Sequence, residues 1–290
     1  MKRLIALALG GYILASLCNL PFAATPTASP TTTVTPRPAT ETTTITPTLT
    51  PSPVPTPTWA HFEPGIITVP IILYHHINVP VTNLRFYVTH ELFDEQLELL
   101  SEQGYTTIST QTLVAAITKG ADLPPRPIII TFDDGNIDTY TTAFPIMKKY
   151  GFTGVIYIVG SYVGAEQYMT ADQIKEMAAA GWEVGSHSMT HSDLTLIDPE
   201  KARYEIVNSK KHLEKMLGVP VNTIAYPFGN STASLNDYAY GAGYIAGMSL
   251  GNGSSHGAGN LFVLQRLDVK GTYNLDQFTL LLPWQVETGP

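Results

Sequence analysis

Past residue 65, short runs of β-branched and aromatic residues alternate with longer stretches whose apolar positions recur every three or four residues. The runs predict strands over Val69–Tyr74, Pro127–Phe132, Gly154–Val159, Trp182–Ser186, Asn222–Tyr226, Tyr244–Met248 and Leu261–Val269. The stretches between them predict helices over Glu91–Gln103, Thr110–Lys119, Thr139–Tyr150, Thr170–Ala180, Pro199–Leu217 and Ser234–Ala242. In the first helix Leu92, Phe93, Gln96, Leu97, Leu99 and Leu100 fall near the helical period. Asp198-Pro199 reads as an N-cap followed by proline at the first helical position. Gly104, Gly151, Gly181 and Gly218 stand where helix C-terminal glycines belong. Strands that are apolar throughout, alternating with helices, imply an α/β fold with a parallel sheet covered by helices. Seven such strands suggest a barrel, complete or not, rather than an open sheet, with its chemistry at the C-terminal rim.

The pattern before residue 65 is different. Lys2 and Arg3 precede an apolar run from Leu4 to Leu20, and Ala23-Ala24 follow, so residues 1–24 read as a signal peptide or membrane anchor. Of the 34 residues from 25 to 58, 24 are Thr or Pro. Such a segment buries too little surface to offset its ordering entropy and favours extended polyproline-II stretches. Residues 25–64 are therefore assigned to a disordered Thr/Pro-rich linker, and residues 65–290 to a single α/β domain. No later apolar run is long enough to span a bilayer.

Composition narrows the classes. With 44% hydrophobic residues in 290, the chain has material for a sizeable core. A net charge of −8 argues against a nucleic-acid binder. The sole cysteine, Cys18, lies in the N-terminal apolar run, which excludes a disulfide framework and a cysteine-based zinc site.

Candidate chemistry gathers at predicted strand ends. Ile128–Phe132 runs into Asp133-Asp134-Gly135, two adjacent carboxylates directed to opposite sides. One can bind a cation while the other handles a proton; alternatively, one caps the next helix. Trp182–Ser186 runs into His187-Ser188-Met189-Thr190-His191, whose spacing puts both imidazoles on one face of a helical turn, as in many zinc sites. Two imidazoles and a carboxylate leave positions open for water and substrate. Tyr226 is followed by Pro227-Phe228-Gly229; proline lacks an N–H, so an oxyanion donor there belongs to Phe228 or Gly229. Closure of a barrel would bring His75, after the first strand, beside Asp268 in the last, and such a pair would favour a protonated imidazole. Tyr162, Tyr168, Tyr226 and Trp284 are candidates for stacking on sugar rings.

Thr131-Phe132-Asp133-Asp134-Gly135, His187-Ser188-x-x-His191 and Tyr226-Pro227-Phe228-Gly229 resemble the first three signature motifs of the polysaccharide deacetylases, carbohydrate esterase family 4 or the NodB homology domain. Leu73-Tyr74-His75-x-Ile77, upstream of the aspartates, is similar to the circularly permuted branch that includes poly-N-acetylglucosamine deacetylases. The resemblance covers residues 66–270 and implies a distorted (β/α)7 barrel. It also implies a metal triad of Asp134, His187 and His191, a general base at Asp133 and an oxyanion-binding N–H at Phe228. The family's C-terminal Leu-x-His histidine has no counterpart, since no histidine follows His256; in the permuted branch the general acid comes from the N-terminal strand, and the resemblance implies His75 for it. Where the family carries an arginine in its third motif this chain has Ala225, and Arg266 is the candidate to stand beside Asp133 instead.

The implied function is removal of N-acetyl groups from an extracellular polymer such as poly-N-acetylglucosamine, peptidoglycan or chitin. The implied cofactor is a divalent ion, Zn²⁺ before Ni²⁺, Co²⁺ or Fe²⁺. The acetylated polysaccharide is the expected partner, with no nucleic acid or protein partner indicated and a membrane tether through the N-terminus as an option. The expected location is secreted or on the outer face of the cytoplasmic membrane. Two alternatives are an O-acetyl-xylan-type esterase and a catalytically weak wall-binding module. A retaining glycosidase fits poorly, since it needs carboxyls about 5–5.5 Å apart across the scissile bond.

Overall fold

The computed structural model describes residues 58–78 and 85–284, so the predicted signal or anchor and nearly all of the linker lie outside the described residues. Seven parallel strands form the barrel, β1 (Ile71–Tyr74), β2 (Pro127–Phe132), β3 (Val155–Ile158), β4 (Glu183–Ser186), β5 (Thr223–Ala225), β6 (Ala246–Leu250) and β7 (Leu264–Asp268), and the two-residue strand Thr106–Thr107 adds to the sheet beside β2. Each of the seven pairs with the next in chain order, and β7 pairs back onto β1, which closes the sheet into a barrel. At the closure Leu267 lies opposite Ile72 and Asp268 opposite Leu73. On the other side of β1, Tyr74 lies opposite Phe132, and the Asp133 N–H donates to the Tyr74 carbonyl at 3.1 Å. The residue after β1 and the residue after β2 therefore emerge side by side at the C-terminal rim.

Alternation along the strands sorts the side chains into two buried sets. Ile71, Ile129, Val155, Tyr157, Ala225, Met248 and Leu264 pack together inside the barrel. Ile72, Tyr74, Ile130, Phe132, Ile156, Ile224 and Leu267 face outward beneath the helices. Gly185 takes an inward position without a side chain; a Cβ there would lie 2.3 Å from the Tyr157 ring, which fills the space. Because every strand is covered on both faces, the strands read as continuous apolar runs.

The covering helices are α1 (His90–Glu102), α2 (Thr110–Lys119), α3 (Phe144–Lys149), α4 (Ala171–Ala179), α5 (Pro199–Leu217), α6 (Ala233–Gly241) and α7 (Leu275–Thr279). Their ends are set by local chemistry. Asp198 caps α5 by accepting from the Glu200 N–H, and Gly218 ends it in the left-handed region at φ 71°. Thr170 and Gln173 form a capping box on α4. α2 lies against the barrel's N-terminal end, where half-buried Glu183 at the start of β4 accepts from its Thr110 N–H at 2.8 Å.

Three parts of the pattern reading change. The helix expected over 139–150 begins as a π-helical turn, Thr139–Ala143, before α3. Ala60–Phe62, assigned to the linker, is a strand paired antiparallel with Ala121–Leu123, so the folded part starts earlier than residue 65. The two-residue strands Ile67–Thr68 and Ser255–His256 pair across the barrel's N-terminal end. Elements this short carry no period from which to read them. Among the described residues no helix is long and apolar enough to cross a membrane.

Candidate active site

A cavity of about 560 Å³ opens at the C-terminal rim. Its lining includes His75, Asp133, Asp134, His187, His191, Phe228, Arg266 and Asp268, so all the residues singled out in the sequence for catalysis or metal binding meet there. They arrive on separate elements: His75 after β1, the aspartates after β2, the histidines after β4, Phe228 after β5, and Arg266 and Asp268 on β7.

The aspartates diverge as alternation demands. Asp133 continues the inward row of β2 and is 2% exposed. Arg266, equally buried on β7, meets it in a two-pronged ion pair, Nη1–Oδ1 2.6 Å and Nη2–Oδ2 2.7 Å. The guanidinium also lies 5.3 Å from the Tyr157 ring centroid, which floors it. Burial by itself would raise the Asp133 carboxyl; the Arg266 charge, then His187, the Arg266 hydrogen bonds and His75 outweigh it and hold the group at about 2.

Asp134 turns the other way, with φ 73°. Its Oδ1 lies 3.5 Å from His187 Nε2 and 3.4 Å from His191 Nε2. His187 Nδ1 sits 2.7 Å from the Ala225 carbonyl, which can only accept, so Nδ1 carries the proton and Nε2 presents a lone pair. Burial first, then the neighbouring His187, push His191 below the ordinary histidine value and favour its neutral ring. Asp134 Oδ1 is buried and has no hydrogen-bond partner among the described residues. The His187 Nε2 lone pair and Asp134 Oδ1 thus face each other as two acceptors, with His191 Nε2 beside the same oxygen. Ligands about 2.0–2.1 Å from a tetrahedral ion stand roughly 3.3–3.5 Å apart, which the two measured separations match. The donor set therefore fits a divalent cation.

The histidines do not share a helical turn, as their spacing suggested. Residues 187–191 form an irregular turn in which Ser188 and His191 have φ of 64° and 61°. Glu205, from α5, holds that turn. Its Oε2 accepts from the Met189 N–H at 2.9 Å and the Thr190 N–H at 2.8 Å, and its Oε1 from the Thr190 hydroxyl at 2.8 Å. The Ser188 hydroxyl accepts from the His191 N–H at 3.0 Å. Sequence reasoning missed Glu205, which sits among the polar positions of an amphipathic helix. Among the described residues five non-glycine residues have positive φ, and four of them are Asp134, Ser188, His191 and Phe228. Strained backbone of this kind concentrates at functional sites.

Phe228 has φ 61°, and its ring, 56% exposed, lies 4.9 Å from that of His191. In its turn the Gly229 N–H is engaged by the Tyr226 carbonyl and the Asn230 N–H by Pro227, so the remaining donor is that of Phe228. Gly229 is required here: φ is 72°, and a Cβ would lie 2.4 Å from Leu250 Cγ.

His75 and Asp268 share the cavity without the expected hydrogen bond. Asp268 accepts from Arg85 Nη2 at 3.2 Å, and His75 packs against Phe86, centroids 4.8 Å apart. Burial, the largest influence, lowers His75 below its ordinary value, against the opposing charges of Asp133, Asp134 and Asp268; the ring is not held protonated by a partner. Of the aromatics named for sugar stacking, Tyr226 is buried in the outer core and Trp284 packs on Tyr105. Tyr162 and Tyr168 are half-buried and 4.5 Å apart.

Comparison with known proteins agrees with this geometry. The polysaccharide deacetylase profile matches residues 120–247. The Bacillus subtilis protein named "putative polysaccharide deacetylase YxkH" is 30% identical over 201 residues, 69% of this chain and 71% of that one. A poly-β-1,6-N-acetyl-D-glucosamine N-deacetylase of Staphylococcus aureus is 29% identical over 161 residues, 50% of this chain; the match spans about half that enzyme's length, 54%. A Streptococcus pyogenes deacetylase solved with acetate superposes with a TM-score of 0.70 at 28% identity, covering 74% of this chain and 98% of that one. A closed barrel with two aspartates and two histidines at its rim, carried by a sequence this similar to YxkH, places the chain in the polysaccharide deacetylase family, as an enzyme of the carbohydrate esterase 4 type related to the poly-N-acetylglucosamine deacetylases.

Proposed function

We propose that this enzyme is a metal-dependent N-deacetylase of an extracellular N-acetylglucosamine polymer, poly-N-acetylglucosamine in the first instance. The observation that carries the reading is the division of labour between adjacent aspartates: Asp134 faces the Nε2 atoms of two imidazoles, while Asp133 is locked on Arg266. Asp134, His187 and His191 would hold the ion, with Zn²⁺ the first choice and Ni²⁺, Co²⁺ or Fe²⁺ compatible with the same donors. Such an ion polarises a carbonyl and makes water more acidic.

The chain's own groups supply the rest. Asp133, ionised at any working pH, accepts the proton of the attacking water; Arg266 fixes its orientation. The Phe228 N–H donates to the oxyanion that develops on the acetyl oxygen, a contribution typically worth about 10²–10³ in rate. His75 delivers a proton to the departing nitrogen. An amine is a poor leaving group without that proton, so a histidine in this cavity favours an amide over an ester as substrate. The neighbouring staphylococcal enzyme acts on poly-β-1,6-N-acetyl-D-glucosamine by name, and the apolar N-terminal segment supports export.

The test is acetate release from defined acetylated oligosaccharides, before and after chelation and metal restoration. Release that stops with chelator and returns with a divalent ion is expected. Release that is indifferent to chelator, or absent from every N-acetylated glycan in fully metal-loaded protein, overturns the proposal.

A further inference from the structure

One pair of groups in the cavity has no part in this chemistry. His76, the neighbour of the proposed acid, lines the cavity and is 25% exposed. Its Nδ1 lies 2.9 Å from Oδ2 of Asp138, a carboxylate only 7% exposed. A carboxylate at that distance requires the proton on Nδ1, which leaves Nε2, at the far side of the ring, as an acceptor when the ring is neutral. The ring is fixed a second time by Tyr87, stacked at 4.2 Å and only 4° from parallel. That stack is built into the backbone. His76–Ile77 and Tyr87–Val88 form a small parallel ladder with His76 opposite Tyr87, and the His76 N–H donates to the Phe86 carbonyl at 3.0 Å. Tyr87 also lines the cavity.

An imidazole oriented by a buried carboxylate and clamped against a phenol is an expensive arrangement for a surface position, since two polar rings lose rotamer freedom and a carboxylate loses water. It presents what a pyranose needs: a fixed acceptor for a hydroxyl and a flat aromatic body beside it. We propose that His76 and Tyr87, held by Asp138, form a sugar subsite next to the reacting centre, with His76 Nε2 accepting from a hydroxyl of the bound hexosamine chain. This rests on the enzyme's substrate being a glycan, as proposed above. The subsite contributes to holding the polymer, not to cleaving the amide.

The experiment compares wild type with His76→Phe, which keeps a stackable ring and removes Nε2, and His76→Gln, which restores an acceptor. Substrates are N-acetylglucosamine oligosaccharides of two to five units and 4-nitrophenyl acetate, which has no sugar. Loss of one hydrogen bond to a hydroxyl is expected to raise KM for the longer oligosaccharides about tenfold in His76→Phe, with kcat and ester hydrolysis within about twofold of wild type. His76→Gln should recover part of the loss. An unchanged KM overturns the subsite, and a parallel fall in ester hydrolysis assigns the pair a structural role instead. If His76→Phe does not fold, as judged by circular dichroism, Tyr87→Leu carries the same comparison. Oligosaccharide binding measured calorimetrically separates the two proposals. Wild type that binds the glycan but releases no acetate refutes the deacetylase reading alone, whereas equal binding by wild type and variant refutes the subsite alone.

Discussion

Asp133 carries the sharpest consequences at the scale of single residues. Its partner Arg266 is buried with it, and removing one member of a buried pair leaves a charge without compensation. Asp133→Asn is expected to retain metal by elemental analysis, to lose about 10²–10⁴ in acetate release, and to lose about 3–5 kcal/mol in denaturant unfolding. The folded value of Asp133, about 2, lies below the unfolded one, so its stabilising effect is present above roughly pH 4 and disappears as pH falls toward 2. As the proposed general acid, His75 has the opposite requirement, because that role needs it protonated. Its value is lowered by burial, so kcat/KM on an N-acetyl substrate should fall as pH rises through a point below the ordinary 6.5. An activated acetyl ester should show no such limb, and His75→Ala should slow the amide far more than the ester. That Asp133 and Asp134 point to different sides was legible in the sequence, because alternation sends neighbours in a strand to opposite sides; which of them takes which role was implied only by the family resemblance. The Arg266 contact was foreshadowed only by the absence of an arginine at position 225; its distances depend on closure of the barrel.

At the scale of elements, the informative case is the turn between the histidines. Spacing alone suggested one turn of helix. The structure builds the same convergence from left-handed residues, held by a glutamate from a later helix. Glu205 was illegible because its function lies in a contact across 15 positions to backbone N–H groups, and backbone groups leave no trace in residue identity. Glu205→Gln keeps the shape but places an amide where three donors converge, so it cannot accept from all of them equally well. Metal affinity, measured by competition with a chelator, should weaken about 10–100-fold. An affinity equal to wild type would reduce Glu205 to a helix–loop tether with no bearing on the site.

At the scale of the whole molecule, the barrel was legible because its strands are buried on both faces and are separated by capped helices. The short strands that close its N-terminal end were not, since two residues cannot display a period. The assembled rim predicts a global response to metal. An ion bound only by the folded state at a hundredfold excess over its Kd adds about 2.7 kcal/mol, or roughly 5–10 °C in Tm for a domain of this size. His187→Ala should abolish that rise while remaining folded by circular dichroism; a rise that persists would locate the ion elsewhere.

The pairing of Asp133 with Arg266 spans 133 positions of chain. A nascent chain elongated only as far as β6 possesses every proposed metal ligand yet lacks the guanidinium that makes burial of Asp133 tolerable. Without β7 the sheet cannot close and the Asp133 carboxylate has no countercharge, so translation through the final strand, not the appearance of the signature residues, marks the moment at which the site can assemble. A chain crossing a membrane unfolded would keep its hydrolytic machinery unassembled until the whole domain had emerged on the far side.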